Sequence, residues 1–359
     1  MLDISRSTLY RRIEEAGFPL QGYSSISNGQ LDMVVHEIKL ANPNDGEVMI
    51  AAHLRTRGVI VPRARLRASI HRNDPHTLDR RSSAIRRRIY HVESPNGVWH
   101  VDGNHKLIRW RLVVHGGIDG YSRLIVYLRC SANNRAQTVL SQFQKGVDTF
   151  GLPLRVRSDC GGENVDVWYY MHEQYQGDPS CVIVGASTHN ERIERLWRDV
   201  HRCVLKPFAD TFRIMESQGI LDPLNEVDVF SLHYCFLPIV NKAIESFQEA
   251  WNNHKVSTEG NATPYQLYLA GMMAANAQPV VPQLPSLFSN TATTPPARPG
   301  EHVQVPRSRF KPCSGLLQSL ERSFDPLAST SYFDLTLYRA VTSFIGQHVL
   351  SNCHLCLEV

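Results

Sequence analysis

The sequence predicts a mixed α/β domain preceded by small all-helical units, and three observations carry that prediction. From residue 96 onward, short strand-like runs and helical stretches follow the order βββαβαβα. Before that point, apolar residues recur at helical spacing in short stretches punctuated by Gly and Pro. Basic residues are also unevenly spread. Residues 53–90 hold Arg55, Arg57, Arg63, Arg65, Arg67, Arg72, Arg80, Arg81, Arg86, Arg87 and Arg88 against only Asp74 and Asp79. Arginine in such excess over acids is what a phosphate-binding surface needs, although a solvated charged face is the plainer reading.

At 359 residues the chain is long enough for two or three domains with a sizeable core. No run of about 18 apolar residues is present and the first residues lack an apolar h-region, so neither a membrane span nor a signal peptide is expected. The eight cysteines are scattered, as in a reduced cytosolic or nuclear protein. Cys353 and Cys356 form a lone CxxC around His354. With no second pair at zinc spacing, it does not read as a metal site.

Residues 3–17 resemble the last helix of a helix-turn-helix, with Ser5 or Ser7 as cap, Leu9 and Ile13 one turn apart, and Gly17 as stop. The helix that should precede it is missing, which fits a truncated reading frame or a motif that no longer works. A fuller unit follows. Gln30 to Ala41 and Glu47 to Arg57 are predicted helices separated by an Asn44-Asp45-Gly46 turn, and Pro62 opens a third helix carrying Arg63, Arg65 and Arg67. Three short helices with a basic last one suit a helix-turn-helix that places that helix in a major groove; a generic helical bundle is the alternative.

Residues 96–272 form the α/β region. Val98 to Val101, Leu112 to Val114 and Leu124 to Leu128 are strand-like, Arg135 to Phe150 is helical, and Leu154 to Val156 is a strand running into Ser158-Asp159. Val165 to Gln174 is a helix, Cys181 to Val184 a strand, and a longer helix follows. The expected organisation is therefore a helix-turn-helix region over 1–72, an Arg-rich connector over 73–95, the α/β region, a Pro/Thr-rich linker over 273–312, and a helical tail over 313–359 without evident chemistry.

Three carboxylates stand in comparable settings: Asp102 at a strand end in VWHVDGN, Asp159 after a strand in VRSDCGGEN, and Glu194 on the later helix. Strand ends and an adjacent helix start converge in a mixed sheet. Carboxylates gathered there repel one another unless a hard divalent cation such as Mg²⁺ joins them. Singly, Asp102 and Asp159 also read as turn residues. Thr188-His-Asn-Glu191 matches a capping box, which assigns Thr188 and Glu191 to the helix start and leaves Glu194 for chemistry.

Taken in order, Asp102, Asp159 and Glu194 resemble the D,D-35-E signature of retroviral-type integrases and related transposases, here with 34 residues between the last two. GGIDGYSRLIVYLRC resembles that family's hairpin after the first aspartate, RSDCGGEN its second-aspartate segment, and Asn190 with IERLWRDV its glutamate helix. AWNNHKVSTEGNATPYQL resembles the segment closing many such cores. The likeness spans about residues 97–270, and HNERIERLWRDV is most similar to integrase-like proteins encoded in eukaryotic genomes and derived from mobile elements. No His-His-Cys-Cys zinc domain is apparent upstream, and the tail does not match the small barrel that follows retroviral cores.

The resemblance implies an RNase H-like mixed-sheet catalytic core. It also implies two Mg²⁺ (or Mn²⁺) ions held by Asp102, Asp159 and Glu194, with DNA end processing followed by strand transfer into double-stranded DNA. A homo-oligomer and nuclear location follow by the same analogy, with no membrane partner and no small-molecule cofactor. Asn190 either orients Glu194, contacts DNA, or simply starts the helix. Arg192, Arg195, Arg198 and Arg202 either bind phosphate or pair with Glu191 and Asp199. Asp119 reads as a turn residue outside the site. Two other classes stay open: an adopted, non-catalytic DNA-binding regulator that keeps the fold, and an RNase H-type nuclease without strand transfer.

Overall fold

The computed structural model describes Arg12, Glu15 and residues 22–73, 92–185, 190–277, 305–306, 308–328, 333 and 335–350. The predicted helix over 3–17 (apart from Arg12 and Glu15), most of the arginine connector, Thr188, and the Cys353–Cys356 pair lie outside the described residues.

Three helices come first: α1 (Asn28–Ala41), α2 (Glu47–Thr56) and α3 (Arg63–Asn73). Ser27 and Gln30 form a capping box that starts α1, and Leu31, Val35 and Ile38 bury one face against Ile50, Leu54, Leu66 and Ile70. The opposite face of α2 behaves differently. Met49 and Ala52 pack into the main core of the α/β region, Arg55 donates to the carbonyl of Asn253 at 2.8 Å, and buried His53 bonds Asp45 at 2.9 Å. The helical unit is thus docked through α2 rather than hung on a linker.

The sheet has five strands, β1 (Trp99–Asn104), β2 (Val113–Asp119), β3 (Ile125–Ser131), β4 (Val156–Ser158) and β5 (Val182–Val184), in the order β3-β2-β1-β4-β5. β1, β2 and β3 pair antiparallel, whereas β4 and β5 join parallel. Parallel joins need crossovers, and α4 (Ala136–Phe150) and α5 (Val165–Gln174) supply them. These two helices cover one face around Trp99, Val101, Phe143 and Trp168. The other face is covered by α6 (Glu191–Val200), a π-helical turn (His201–Leu205), α7 (Lys206–Ser217) and α8 (Glu226–Asn253). Pro207, just beyond the π turn, has no backbone N–H to continue the ladder. α9 (Pro264–Ala277) closes the region and runs past the expected boundary at 272. This is the mixed-sheet, helix-flanked architecture expected of an RNase H-like core.

β3 is an edge strand, and α8 covers its outer side with amides. Asn241 accepts from the Cys130 N–H at 2.9 Å and donates to its carbonyl at 3.1 Å. Asn252 repeats the pattern on Ile125 at 2.8 and 3.1 Å. Two side chains of one helix therefore take the place of a neighbouring strand and hide an edge that would otherwise pair with another chain.

The tail is part of the same core. Leu316 and Leu320 of α10 (Ser314–Ser323) and Tyr338, Val341 and Ile345 of α11 (Leu335–Leu350) are buried with α8 residues. Glu226 straps the segment before α10: it pairs with Arg111 and accepts from Ser308 and the Arg309 N–H. These bonds hold its carboxyl down at about 2. Among the described residues no helix is long and apolar enough to cross a membrane.

Candidate active site

β1 and β4 lie parallel with Trp99 opposite Val156 and His100 opposite Arg157. Three residues beyond Trp99 and Val156 stand Asp102 and Asp159, so the strand register alone carries the two aspartates to the same place. β1 continues two residues past Asp102, to Asn104; Asp159 directly follows β4.

Asp159 is held by what comes after it. Its Oδ1 accepts from the Gly161 N–H at 3.0 Å and from Asn164 Nδ2 at 3.2 Å. A Cβ on Gly161 would lie 2.9 Å from that oxygen and 2.7 Å from Glu163 Oε2, so any other residue here would displace the two carboxylates. Asp102 is held from the other side. Trp197, one helical turn after Glu194 on α6, donates its indole N–H to Asp102 Oδ2 at 2.7 Å. Gly116 lies opposite Asp102 in the β1–β2 register, and a Cβ there would meet the Trp197 ring at 2.9 Å. Glycine at this position makes room for the indole that reaches the aspartate.

The start of α6 is fixed by Asn190, which is buried. Its Oδ1 lies 2.5 Å from His100 Nδ1 and its Nδ2 donates to the Val101 carbonyl at 3.1 Å. Burial pushes His100 down to about 3, with Arg157 and Arg192 repelling further charge, so the imidazole is neutral. Asn190 is therefore a positioning residue that ties the Glu194 helix to β1. Both ends of its amide bond β1.

The electrostatics bring the three carboxylates into one field. Asp102 is raised from an ordinary 3.8 to about 7, first by burial and next by the charge of Asp159, with Glu194 adding to it; the bonds from Trp197 and the Gly103 N–H act the other way. Among the described residues, no three His, Cys, Asp or Glu side chains converge closely enough to hold a metal ion as they stand. Mutual repulsion opposes closer approach. The donor set nevertheless fits a hard divalent cation: all carboxylate oxygen, one member pushed towards neutrality by burial and by its neighbours' charge, and each aspartate anchored through one named oxygen.

Several expectations are corrected. Glu191 is the first residue of α6, with Asn190 at the cap position and no side-chain cap bond, so it is not the third helical residue a capping box requires. Such boxes form instead at Ser27–Gln30 and Thr263–Gln266. Arg63, Arg65 and Arg67 do not lack partners. Glu47 accepts from Arg63 and Arg67, Arg65 bonds Asn28 and the Ile26 carbonyl, and Arg72 pairs with Asp32. The acids come from α1 and α2, outside the window in which Asp74 and Asp79 were the only ones. Of the α6 set, Arg192 is half-buried near His100 and Arg202 pairs with Asp199, while Arg195 and Arg198 are exposed and make no ion pair among the described residues. Asp119 accepts from Ser122 and the Asn96 N–H, as a turn residue does.

Two residues that the structure brings to the site escaped sequence reasoning. Trp197 sits on the apolar stripe of α6 and reads as core. Its signal was the spacing from Glu194, which puts it on the same helix face. Glu163 is buried beside Gly103 and Gly161 and brings a fourth carboxylate to the rim of the site, 4.0 Å from His105.

The sequence matches a family model described as "Integrase core domain" over residues 89–280, more than half of the chain. No curated protein matches it. Among solved structures it is similar to the HTLV-2 integrase catalytic core domain in complex with magnesium. For the trimeric form identity is 15%, coverage is 49% of this chain and 97% of that one, and the TM-score is 0.32. The dimeric form gives the same identity and coverage with a TM-score of 0.31. A simian T-cell lymphotropic virus intasome in complex with PP2A regulatory subunit B56 gamma shares 15% identity over 61% of this chain and 70% of that one, at a TM-score of 0.32.

Proposed function

The chain belongs to the integrase core domain family, and from that premise we propose that it is a metal-dependent polynucleotidyl transferase that processes DNA ends and joins them to double-stranded DNA. The observation that supports this best is the shared field of two anchored aspartates and Glu194, with Asp102 pushed to about 7 by burial and by its two neighbours.

Asp102, Asp159 and Glu194 are the residues that hold the metal. When bound, two Mg²⁺ or Mn²⁺ ions supply Lewis-acid activation of the attacking water or 3′-hydroxyl and stabilise the leaving oxygen. The protein's own work is positioning. Trp197 fixes one oxygen of Asp102, Gly161 and Asn164 fix one of Asp159, and the Asn190–His100 contact sets the α6 start from which Glu194 projects. Positioning of this kind suits a reaction with little covalent chemistry for side chains. Arg195 and Arg198, exposed on the same helix, are the phosphate contacts in this reading. Two DNA ends must be held together, so the active form is a homo-oligomer, and it acts in the nucleus where its substrate lies.

The test is incubation of the full chain with end-labelled duplex DNA. The expected result is 3′-end nicking and joined products in Mg²⁺ or Mn²⁺, abolished by EDTA and restored by added Mn²⁺. DNA binding without nicking or joining in either metal would overturn the proposal in favour of a non-catalytic DNA-binding protein. Nicking of RNA–DNA hybrid without any joined product would overturn it in favour of a nuclease.

A further inference from the structure

Glu163 reaches both segments that carry the aspartates, and it is only 5% exposed. It belongs to the short 3-10 turn (Gly162–Asn164) that follows Asp159. Each of its carboxylate oxygens faces a glycine standing beside one aspartate. Oε1 lies 3.5 Å from the place a Cβ would take on Gly103, the residue after Asp102. Oε2 lies 2.7 Å from the corresponding place on Gly161, two residues after Asp159. Asp159 Oδ1 faces that same point above Gly161, at 2.9 Å. The missing Cβ therefore leaves a small cradle, with one carboxylate oxygen of Asp159 and one of Glu163 on its wall.

Glutamine has the same shape and would fill this space as well, so the negative charge calls for its own account. A charge taken out of water is costly unless an opposite charge meets it. His105 Nε2 is 4.0 Å from Oε1, beyond hydrogen-bonding distance, and serves as a counter-charge only when protonated. On the other side stands Asp159, of the same sign. A divalent cation at the aspartates supplies the missing positive charge, and carboxylate oxygen is the donor that a hard cation prefers.

Resting on the reading that Asp102, Asp159 and Glu194 hold metal, we propose that Glu163 is a fourth acid of that site. It is a positioning residue whose charge strengthens the hold of Asp102 and Asp159 on their ion, and it takes no part in making or breaking bonds. Asn164, its neighbour in the same turn, donates to Asp159 Oδ1 at 3.2 Å. One short turn thus orients the second aspartate and places a further charge beside it. Groups that stand behind the ligands of a metal commonly change its affinity by about ten- to a hundredfold, which sets the size of the effect expected here.

The test is Mn²⁺ binding to the full chain, followed through the electron paramagnetic resonance of the free ion. Wild type is expected to bind, and Glu163→Gln to bind about tenfold more weakly. Glu163→Asp keeps the charge and should stay within about threefold of wild type. In end joining, Glu163→Gln should need about tenfold more Mn²⁺ for half-maximal rate, yet come within about threefold of the wild-type rate at saturating metal. Equal binding by wild type and Glu163→Gln would overturn the proposal. So would Glu163→Asp as weak as Glu163→Gln, or a Glu163→Gln chain that does not melt cooperatively in EDTA, because the residue would then serve shape or fold. Wild type that binds no Mn²⁺ would instead overturn the metal reading of the other carboxylates, and this inference with it.

Discussion

Glu194→Gln loses metal-dependent strand transfer by about 10³-fold, while Glu191→Gln stays within about threefold of wild type. The two residues lie on one helix, three apart, and glutamine keeps the shape of each. What differs is the surrounding field. Glu194 adds to the charge felt by Asp102 and shares its helix face with Trp197, which bonds that aspartate. Glu191 is exposed at the first position of α6, where its charge merely suits the helix N-terminus. Initial joining rates at matched DNA occupancy measure the difference. Loss with Glu191→Gln and retention with Glu194→Gln would reverse the assignment.

Asp102→Asn inactivates the protein but stabilises its metal-free form above neutral pH. The sign follows from the direction of the shift. In the fold the carboxyl is raised to about 7, above its ordinary 3.8, so folding takes up a proton. The contribution of Asp102 to stability is therefore highest below about pH 4, falls as the pH rises through the window between about 4 and 7, and stays low above it. Asparagine carries no charge and removes that loss, while its side-chain oxygen can still accept from Trp197. The gain is about 2 kcal/mol at pH 8, several degrees in Tm. The gain should shrink as the pH is lowered towards 4. Adding Mg²⁺ should raise the Tm of wild type and not that of the variant. Thermal denaturation in EDTA at pH 5 and pH 8, then with Mg²⁺, measures all of this. A variant less stable than wild type at pH 8 in EDTA would contradict the field described for Asp102.

The order of strands and helices was legible in the sequence because each is short and sharply punctuated. The two aspartates were legible because strand ends in a mixed sheet converge. What escaped depends on contacts between distant segments. Glu47 and Asp32 meet the α3 arginines only once α1 and α2 have packed, so charge counted along the chain overstated the unpaired arginine. Asn190 reads as a helix-start residue because that is where it sits, but burial turns its amide towards His100 and Val101. Trp197 reads as core because indole is mostly hydrocarbon, and its single N–H is what reaches Asp102. The tail carried no chemical pattern of its own, and its place against α8 rests on Tyr338, Val341 and Ile345 fitting a surface that sequence periodicity does not describe.

Anomalous diffraction from crystals of the metal-free protein soaked in Mn²⁺ tests the central claim most directly. The account predicts Mn²⁺ bound by Asp102 together with Asp159, a second ion engaging Glu194, and neither ion in Asp102→Asn crystals. Mn²⁺ absent from all three carboxylates at saturating concentration would contradict it.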